Sequence, residues 1–390
     1  MSAPTIHSHP FTRAGLTVAG LGTAAYVAGW QFGWLELMVL AAASLVALAL
    51  AVPFVIGRQR LLVERSLRPE RVTVGEPAMA VLTVTNPAKA PIGNRAIEDH
   101  VNGEPVAINI SGLAPDETIE VFHPLPTERR GVFEIGPAVI AKADPLGLMR
   151  REVRQAGVDQ LWVHPRVTAL NVVPVGFAKD LEGPTSDASP AGDVSFHTLR
   201  EYEIGDDHRH VHWLSTARTG TLMVRHYVDN RLPHLTVVLD NNAAIYEQEN
   251  FETAVEVAAS LTVTTMLHQQ PVALRVGDQA ILGSTQPAST ERVLDALTTV
   301  DANETNQPGE MLATACRVEP DTSALVLVTG PRSGSDLLAL TQRVSRQAHC
   351  FIVRVWPDGD AIEPAVVPGA TVFDAASLDQ FRVAWNRVMA

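Results

Sequence analysis

The sequence predicts a multidomain chain: an N-terminal transmembrane helical hairpin, a small antiparallel β-sandwich-like module and a C-terminal doubly wound α/β domain. Three observations carry that expectation. Two nearly uncharged stretches of membrane-spanning length open the chain. Period-two strands broken by Pro and Gly follow, and apolar strands then alternate with amphipathic helices. The boundaries read as an N-terminal tail over 1–13, the hairpin over 14–56, the β module over 57–175, a linker over 176–194, and a signature segment with the α/β domain over 195–390. At 390 residues the chain is long enough for such units to bury their own cores.

From Ala14 to Gly33 and from Trp34 to Ile56, Glu36 is the one charged residue. Each stretch has about the 20 residues that a helix needs to cross a hydrocarbon core of roughly 30 Å. Trp30 and Trp34 flank the turn, where indole rings favour the membrane interface. Arg13 precedes the first stretch, and Arg58, Arg60, Arg65 and Arg68 follow the second. The positive-inside rule therefore places both flanks, and everything after Ile56, in the cytoplasm. A cleaved signal peptide fits less well, because no A-x-A site follows the first stretch and a second comes at once.

Composition agrees with a chain partly in lipid. Hydrophobic residues make up 46% and charged residues 19%, more apolar than is usual for a soluble protein. The formal charge is −13, from 30 basic and 43 acidic side chains. A nonspecific nucleic-acid binder needs the opposite sign, so no nucleic-acid partner is expected. Cys316 and Cys350 lack zinc spacing and are too few for a disulfide framework, and they read as buried thiols.

The segments RVTVGEPAMAVLTVTN, VAINISGL, TIEVFHPL, GVFEIGPAVIAKA and QLWVHPRV alternate apolar and polar residues between turn signals, which predicts the antiparallel sandwich. GFAKDLEGPTSDASPAGDV, rich in Gly, Pro, Ser and Asp, reads as a linker. From Leu235, the strands LTVVLD, PVALRVGD, QAILG, ALVLVTG, CFIVRVW and TVFDA alternate with helices, among them Ser289–Val300, Asp336–Gln347 and Ser377–Met389. Buried strands in such alternation predict a mostly parallel sheet covered on both faces, with ligands at the carboxyl ends of its strands. Asp240 and the loop after it are therefore the first place to look for a site.

The stretch REYEIGDDHRHVHWLSTARTG, Arg200 to Gly220, concentrates charge and histidine. On an extended strand His208, His210 and His212 would share one face, and with Asp206 or Asp207 would offer zinc donors. Strand pitch alone does not make three imidazoles converge, so hydrogen-bonded or solvated histidines are the ordinary outcome. Arg200, Arg209, Arg218 and Arg225 could grip an anion in a fork, yet Glu201, Glu203, Asp206 and Asp207 lie among them, which favours an internal salt-bridge network. Trp213 would then anchor the β module to the α/β domain.

The run from Ala191 to Asn230 resembles the signature of the domain-of-unknown-function-58 family, a bacterial group. The matching positions are Leu199, Arg200, Glu201, Tyr202, Gly205, Asp206, Asp207, Arg209, Val211, Trp213, Ala217, Arg218, Gly220, Leu222, Val224 and Arg225. RRGVFEIGP, ADPLGLMRRE and LWVHPRV resemble the family's β module, and the three histidines fall at positions the pattern leaves variable. The resemblance implies a von Willebrand factor A-like α/β domain and a partner among MoxR-type AAA+ ATPases. In such domains a metal site uses Asp-x-Ser-x-Ser, a distant Thr and a later Asp. Here Asp240, Asn242 and Ala244 stand in the first motif, and Thr329 and Gly330 stand where the later Asp is expected. With two oxygen donors missing or altered, the site reads as vestigial and magnesium is not expected.

Sequence motifs for catalysis are lacking: there is no G-x-S-x-G elbow, no Walker lysine loop and no Cys-His pair in a family context. The leading expectation is a multi-pass protein of the bacterial cell membrane with cytoplasmic soluble domains. It would act as adaptor or scaffold with a MoxR-type ATPase in assembly or maturation of cell-envelope complexes. The alternative is a metal-dependent or cell-wall-acting enzyme.

Overall fold

Helices α1 (Arg13–Phe32) and α2 (Leu35–Val55) lead the computed structural model, which describes residues 11–55, 61–174, 194–203, 206, 208, 211–229, 233–284, 287–302, 308–319, 322–342, 348–359 and 364–390. Among the described residues α2 is the helix long and apolar enough to cross a membrane. Glycines let the two helices approach. A Cβ at Gly22 would lie 2.8 Å from the Ser44 Cβ, and one at Gly29 would lie 3.1 Å from the Met38 Cγ. Gly33, left-handed at φ 71°, ends α1 with its N–H on the Gly29 carbonyl, at the turn the sequence predicts. The chain divides into two units, Met1–His164 and Pro165–Ala390.

In the first unit, β1 (Leu62–Arg68), β3 (Met79–Thr85) and β6 (Thr118–Pro124) form an antiparallel sheet in the order β1-β3-β6. A second sheet runs β2 (Arg71–Thr73), β9 (Asp159–His164), β7 (Gly131–Ala143), β4 (Arg95–Val101) and β5 (Glu104–Ile110), with β8 (Arg150–Ala156) also on β7. The two sheets face each other: Val63, Leu82 and Val84 share a core with Ile97, Ile108 and Ile140. Strands β1, β4 and β8 were not expected, and β2 pairs with β9 in parallel. Asp99 on β4 is buried between the sheets. Its Oδ1 accepts from Arg65 Nη1 at 2.7 Å, and its Oδ2 lies 3.1 Å from His123 Nε2. Arg65, read from sequence as a membrane-flanking charge, is therefore fully buried and holds Asp99, Asp159 and the Gly157 carbonyl.

The second unit is doubly wound. Its sheet runs β14 (Gln279–Leu282), β13 (Val272–Val276), β12 (Leu235–Leu239), β15 (Ala324–Thr329), β16 (His349–Val355) and β17 (Ala370–Ala375). All neighbours are parallel except β13 and β14. Helices α4 (Gln248–Leu267), α5 (Thr290–Thr298) and α8 (Leu378–Val388) cover one face, where Val237 and Leu239 meet Val255, Leu297 and Trp385. Helices α6 (Pro308–Val318) and α7 (Gly334–Thr341) cover the other, where Val238 and Leu327 meet Leu312 and Leu337. Helix α6 was not foreseen.

The stretch after Pro165, assigned from sequence to the β module, packs here instead. Leu170 and Val173 join the core of the α4 face, and Trp385 Nε1 donates to the Asn171 carbonyl at 2.8 Å. The expected linker over 176–194 lies outside the described residues apart from Val194, which begins β10 (Val194–Glu201). Strand β10 pairs antiparallel with β11 (Met223–Asp229), and α3 (Trp213–Thr219) lies between them in sequence.

Candidate functional site

The signature folds as a local unit. Arg200, on β10, forms a two-pronged pair with Asp206: Nη1 reaches Oδ2 at 2.8 Å and Nη2 reaches Oδ1 at 2.5 Å. Hydrogen bonding to Asp206 raises the Arg200 pKa. The same carboxylate accepts the Glu203 N–H at 2.9 Å, closing the turn after the strand. Tyr202 is half-buried with its ring 5.5 Å from that of His208, while Glu201 is exposed opposite Met223. Helix α3 begins at His212, whose Nδ1 accepts the Ser215 N–H at 3.2 Å, and ends at Gly220, left-handed at φ 78°. Arg218 sits exposed in the last turn, where the helix dipole favours a cation. Ala217 is also exposed. Arg225 lies on β11 opposite Leu199. Gly205, Asp207, Arg209 and His210 lie outside the described residues.

The structure bears on the conditional zinc reading of this stretch and corrects the expected Trp213 anchor. His208 and His212 do not share a strand face, because the chain leaves β10 through a turn containing His208 and enters α3 at His212; His210 lies outside the described residues. A period of two therefore never applies. Trp213 is not a buried anchor: its indole is 67% exposed, and its neighbour Leu214 is exposed too. A short helix held to the β-hairpin by the His212 and Thr216 contacts to Met223 leaves that face outward.

A second cluster forms at the carboxyl ends of the parallel strands, where connections leave β12 and β15 toward opposite faces of the sheet. Asp240, directly after β12, is fully buried. Its Oδ2 accepts from the Thr329 hydroxyl at 2.9 Å and from Arg332 Nη2 at 2.8 Å, and its Oδ1 accepts the Asn242 N–H at 3.1 Å. Asn242 caps the next turn through the Ala244 N–H at 3.0 Å. The loops run so close that a Cβ on Gly330 would overlap the Ile245 carbonyl oxygen, so glycine is required there. The Tyr246 hydroxyl is buried nearby, and burial followed by the Asp240 charge pushes its pKa well above the ordinary range.

The cluster continues across the sheet. Arg354 on β16 is 1% exposed. Its Nε lies 2.7 Å from Asp374 Oδ1, its Nη2 donates to Asp374 Oδ2 at 2.9 Å, and its Nη1 donates to the Arg332 carbonyl at 2.9 Å. Trp356 donates Nε1–H to Asp374 at 3.0 Å and offers its ring face to Arg354 at 5.1 Å. Two carboxylates and two guanidiniums thus neutralise one another at the place where an α/β sheet usually binds its ligand. The Arg332 cation already sits on Oδ2 of Asp240. No group of three potential metal-ligating side chains occurs among the described residues.

A scan against family models matches residues 198–382 to the family described as protein of unknown function DUF58. Through that segment the chain belongs to the DUF58 family. A search of curated proteins gives no match. Among solved structures the DUF58 chain is similar to the CARDB domain of a Pyrococcus furiosus protein, at 17% identity over 26% of this chain and 91% of that one, with a TM-score of 0.21. It is also similar to the RO (RSR) protein of Deinococcus radiodurans, at 12% identity over 42% of this chain and 36% of that one, with a TM-score of 0.27. These likenesses are too distant to bear on fold or function. Sequence reading of this DUF58 chain reached Asp240, Asn242 and Thr329 but missed Arg332, Arg354, Trp356 and Asp374. An arginine two residues past a strand-ending Thr-Gly was the available signal for the first. The others sit in ordinary strand sequence.

Proposed function

We propose that this chain is a membrane-anchored adaptor that presents a von Willebrand factor A-like α/β domain to a cytoplasmic MoxR-type AAA+ ATPase, in assembly or maturation of cell-envelope complexes. The observation that carries the reading is the closed charge cluster at Asp240. An enzyme of this fold would keep that carboxylate, or a metal on it, open to substrate. Here Arg332 and Thr329 occupy Oδ2, and the neighbouring tyrosine hydroxyl is buried. The strand order, with one antiparallel strand beside the second parallel one, supports the von Willebrand factor A-like assignment. The apolar helix α2, the packing of α1 on it and the arginines at both flanks support a two-pass anchor with cytoplasmic soluble domains. The exposed face of α3, with Trp213, Leu214 and Arg218, is the part of the signature offered to a partner.

Crosslinking of the full chain in native membranes, followed by mass spectrometry, tests the reading. The expected result is an AAA+ ATPase recovered in an ATP-dependent way, with loss of recovery for Trp213→Ala. Hydrolytic turnover by the full chain that disappears in Asp240→Asn would overturn it in favour of an enzyme. Single cysteines at Ser2, Gln31 and Ser66, probed with an impermeant maleimide in intact cells, test the topology. Labelling at Gln31 alone is expected, and labelling at Ser66 but not at Gln31 would overturn it.

A further inference from the structure

The turn between β7 and β8 is tied to the helices rather than to its own sheet. Asp144 is buried, and its carboxylate accepts the Leu146 N–H at 2.9 Å and the Met149 N–H at 2.5 Å. The Gly147 N–H returns to the Asp144 carbonyl at 3.0 Å, and Gly147 takes φ 65°. The turn is therefore preformed. Thr12, which caps α1, donates its N–H to the Leu148 carbonyl at 3.1 Å and its hydroxyl to the Gly147 carbonyl at 2.6 Å. Gly15 passes so close that a Cβ would overlap the Leu148 carbonyl. Leu148 and Met149 are buried with Ala51 and Val55 near the end of α2, and Val18 and Ala47 pack against them.

Depth follows from these contacts. Val18 and Ala51 lie inside the apolar lengths of α1 and α2, so the buried half of the turn reaches the level of the spans. Its other half, Pro145, Leu146 and Gly147, is exposed and uncharged, with Leu146 67% exposed. Phe11, also exposed, bridges to Met149, and exposed Arg13 follows Thr12. Apolar side chains at the tip with an arginine beside them match the boundary between acyl chains and phospholipid headgroups.

We infer that the Asp144–Met149 turn is a third point of membrane contact, with Leu146 and Phe11 seated in the interfacial layer of the bilayer and Arg13 among the headgroup phosphates. This rests on the membrane anchor proposed above. The contact holds the β-sandwich at a set height over the bilayer.

The test uses the full chain in vesicles of phosphatidylcholine and phosphatidylglycerol, with Cys316 and Cys350 replaced by Ala and an environment-sensitive fluorophore on Leu146→Cys. Leu45→Cys, on the exposed face of α2, and Val366→Cys, exposed in the second unit, serve as references. The expected result for position 146 is blue-shifted emission, stronger quenching by lipid brominated near the glycerol than near the methyl end, and protection from aqueous iodide. Iodide quenching equal to that at position 366, with position 45 still quenched by lipid, would overturn the inference and leave the anchor standing. Protection from both quenchers would also overturn it, since protein would then cover the tip. If position 45 behaves as water-exposed, the anchor itself fails. Should the cysteine-free background not fold, a benzoylphenylalanine at position 146 of the natural-cysteine chain replaces the label. Phospholipid adducts on irradiation are expected, and their absence while position 45 forms them overturns the inference.

Discussion

The signature stretch and the Asp240 cluster sit in the same unit and are built in opposite ways. The signature draws its charges from consecutive residues, closes on itself through Arg200 and Asp206, and leaves Trp213 in solvent. The Asp240 cluster draws residues from the ends of four strands and the loop after β15, and fully buries Asp240, Thr329 and Arg354. Conspicuous sequence and structural weight are thus separated. A charge pair that folds locally at the surface is screened, whereas one assembled between strands inside the sheet must be complete to be tolerated.

The largest expected effect lies in the buried cluster. Arg354→Met strands Asp374, and Asp240→Ala strands Arg332; each should lower unfolding free energy by about 3–5 kcal/mol in denaturant titrations. Adding Arg332→Met to Asp240→Ala should recover part of the loss, because it removes the cation left without its partner. Additive losses would mean that the two residues act separately, and the contrast with the signature would weaken.

In the signature the expectation reverses. Arg200→Ala and Trp213→Ala should leave the unfolding midpoint close to the parent's while reducing partner crosslinks. A midpoint drop as large as that of Arg354→Met would show that the stretch is architectural after all.

Magnesium separates the two regions further. At millimolar concentration it should leave the melting temperature unchanged, since the Arg332 cation already neutralises the Asp240 carboxylate. A saturable rise abolished by Asp240→Ala would show the site to be functional.

The smallest expected effect is on pH dependence. Burial lowers the pKa of His349 from 6.5, so the unfolded chain takes up its proton first as pH falls. Stability from this residue is complete above about 6.5 and declines as pH drops from there toward the folded value. His349→Gln should flatten that part of the stability-against-pH curve, and an unchanged slope would assign it to other groups.

Much of the fold was legible because its signals are local. Uncharged runs of membrane-spanning length, alternation in RVTVGEPAMAVLTVTN and apolar blocks such as LTVVLD each follow from near-neighbour patterning. Strand β4, RAIEDHV, was not legible: its buried Asp99 breaks the apolar pattern and makes sense only opposite Arg65 on β1 and His123 on β6. The shared face that extended spacing would give His208 and His212 fails for a related reason, since a turn at His208 ends the strand on which it depended.

The sequence by itself determined the order of units, the apolar N-terminal segments, the doubly wound α/β pattern and membership of the DUF58 family. Only the tertiary structure decided what each charge does: Arg65 inside the sandwich, Arg332 on Asp240, Arg354 on Asp374, and Trp213 in solvent. The physical reason is range. Hydrophobic periodicity acts over a few residues and is written in the chain. An ion pair needs its partner within a few ångströms in space, and for Asp240 and Arg332 that proximity exists only once β12 and β15 lie side by side.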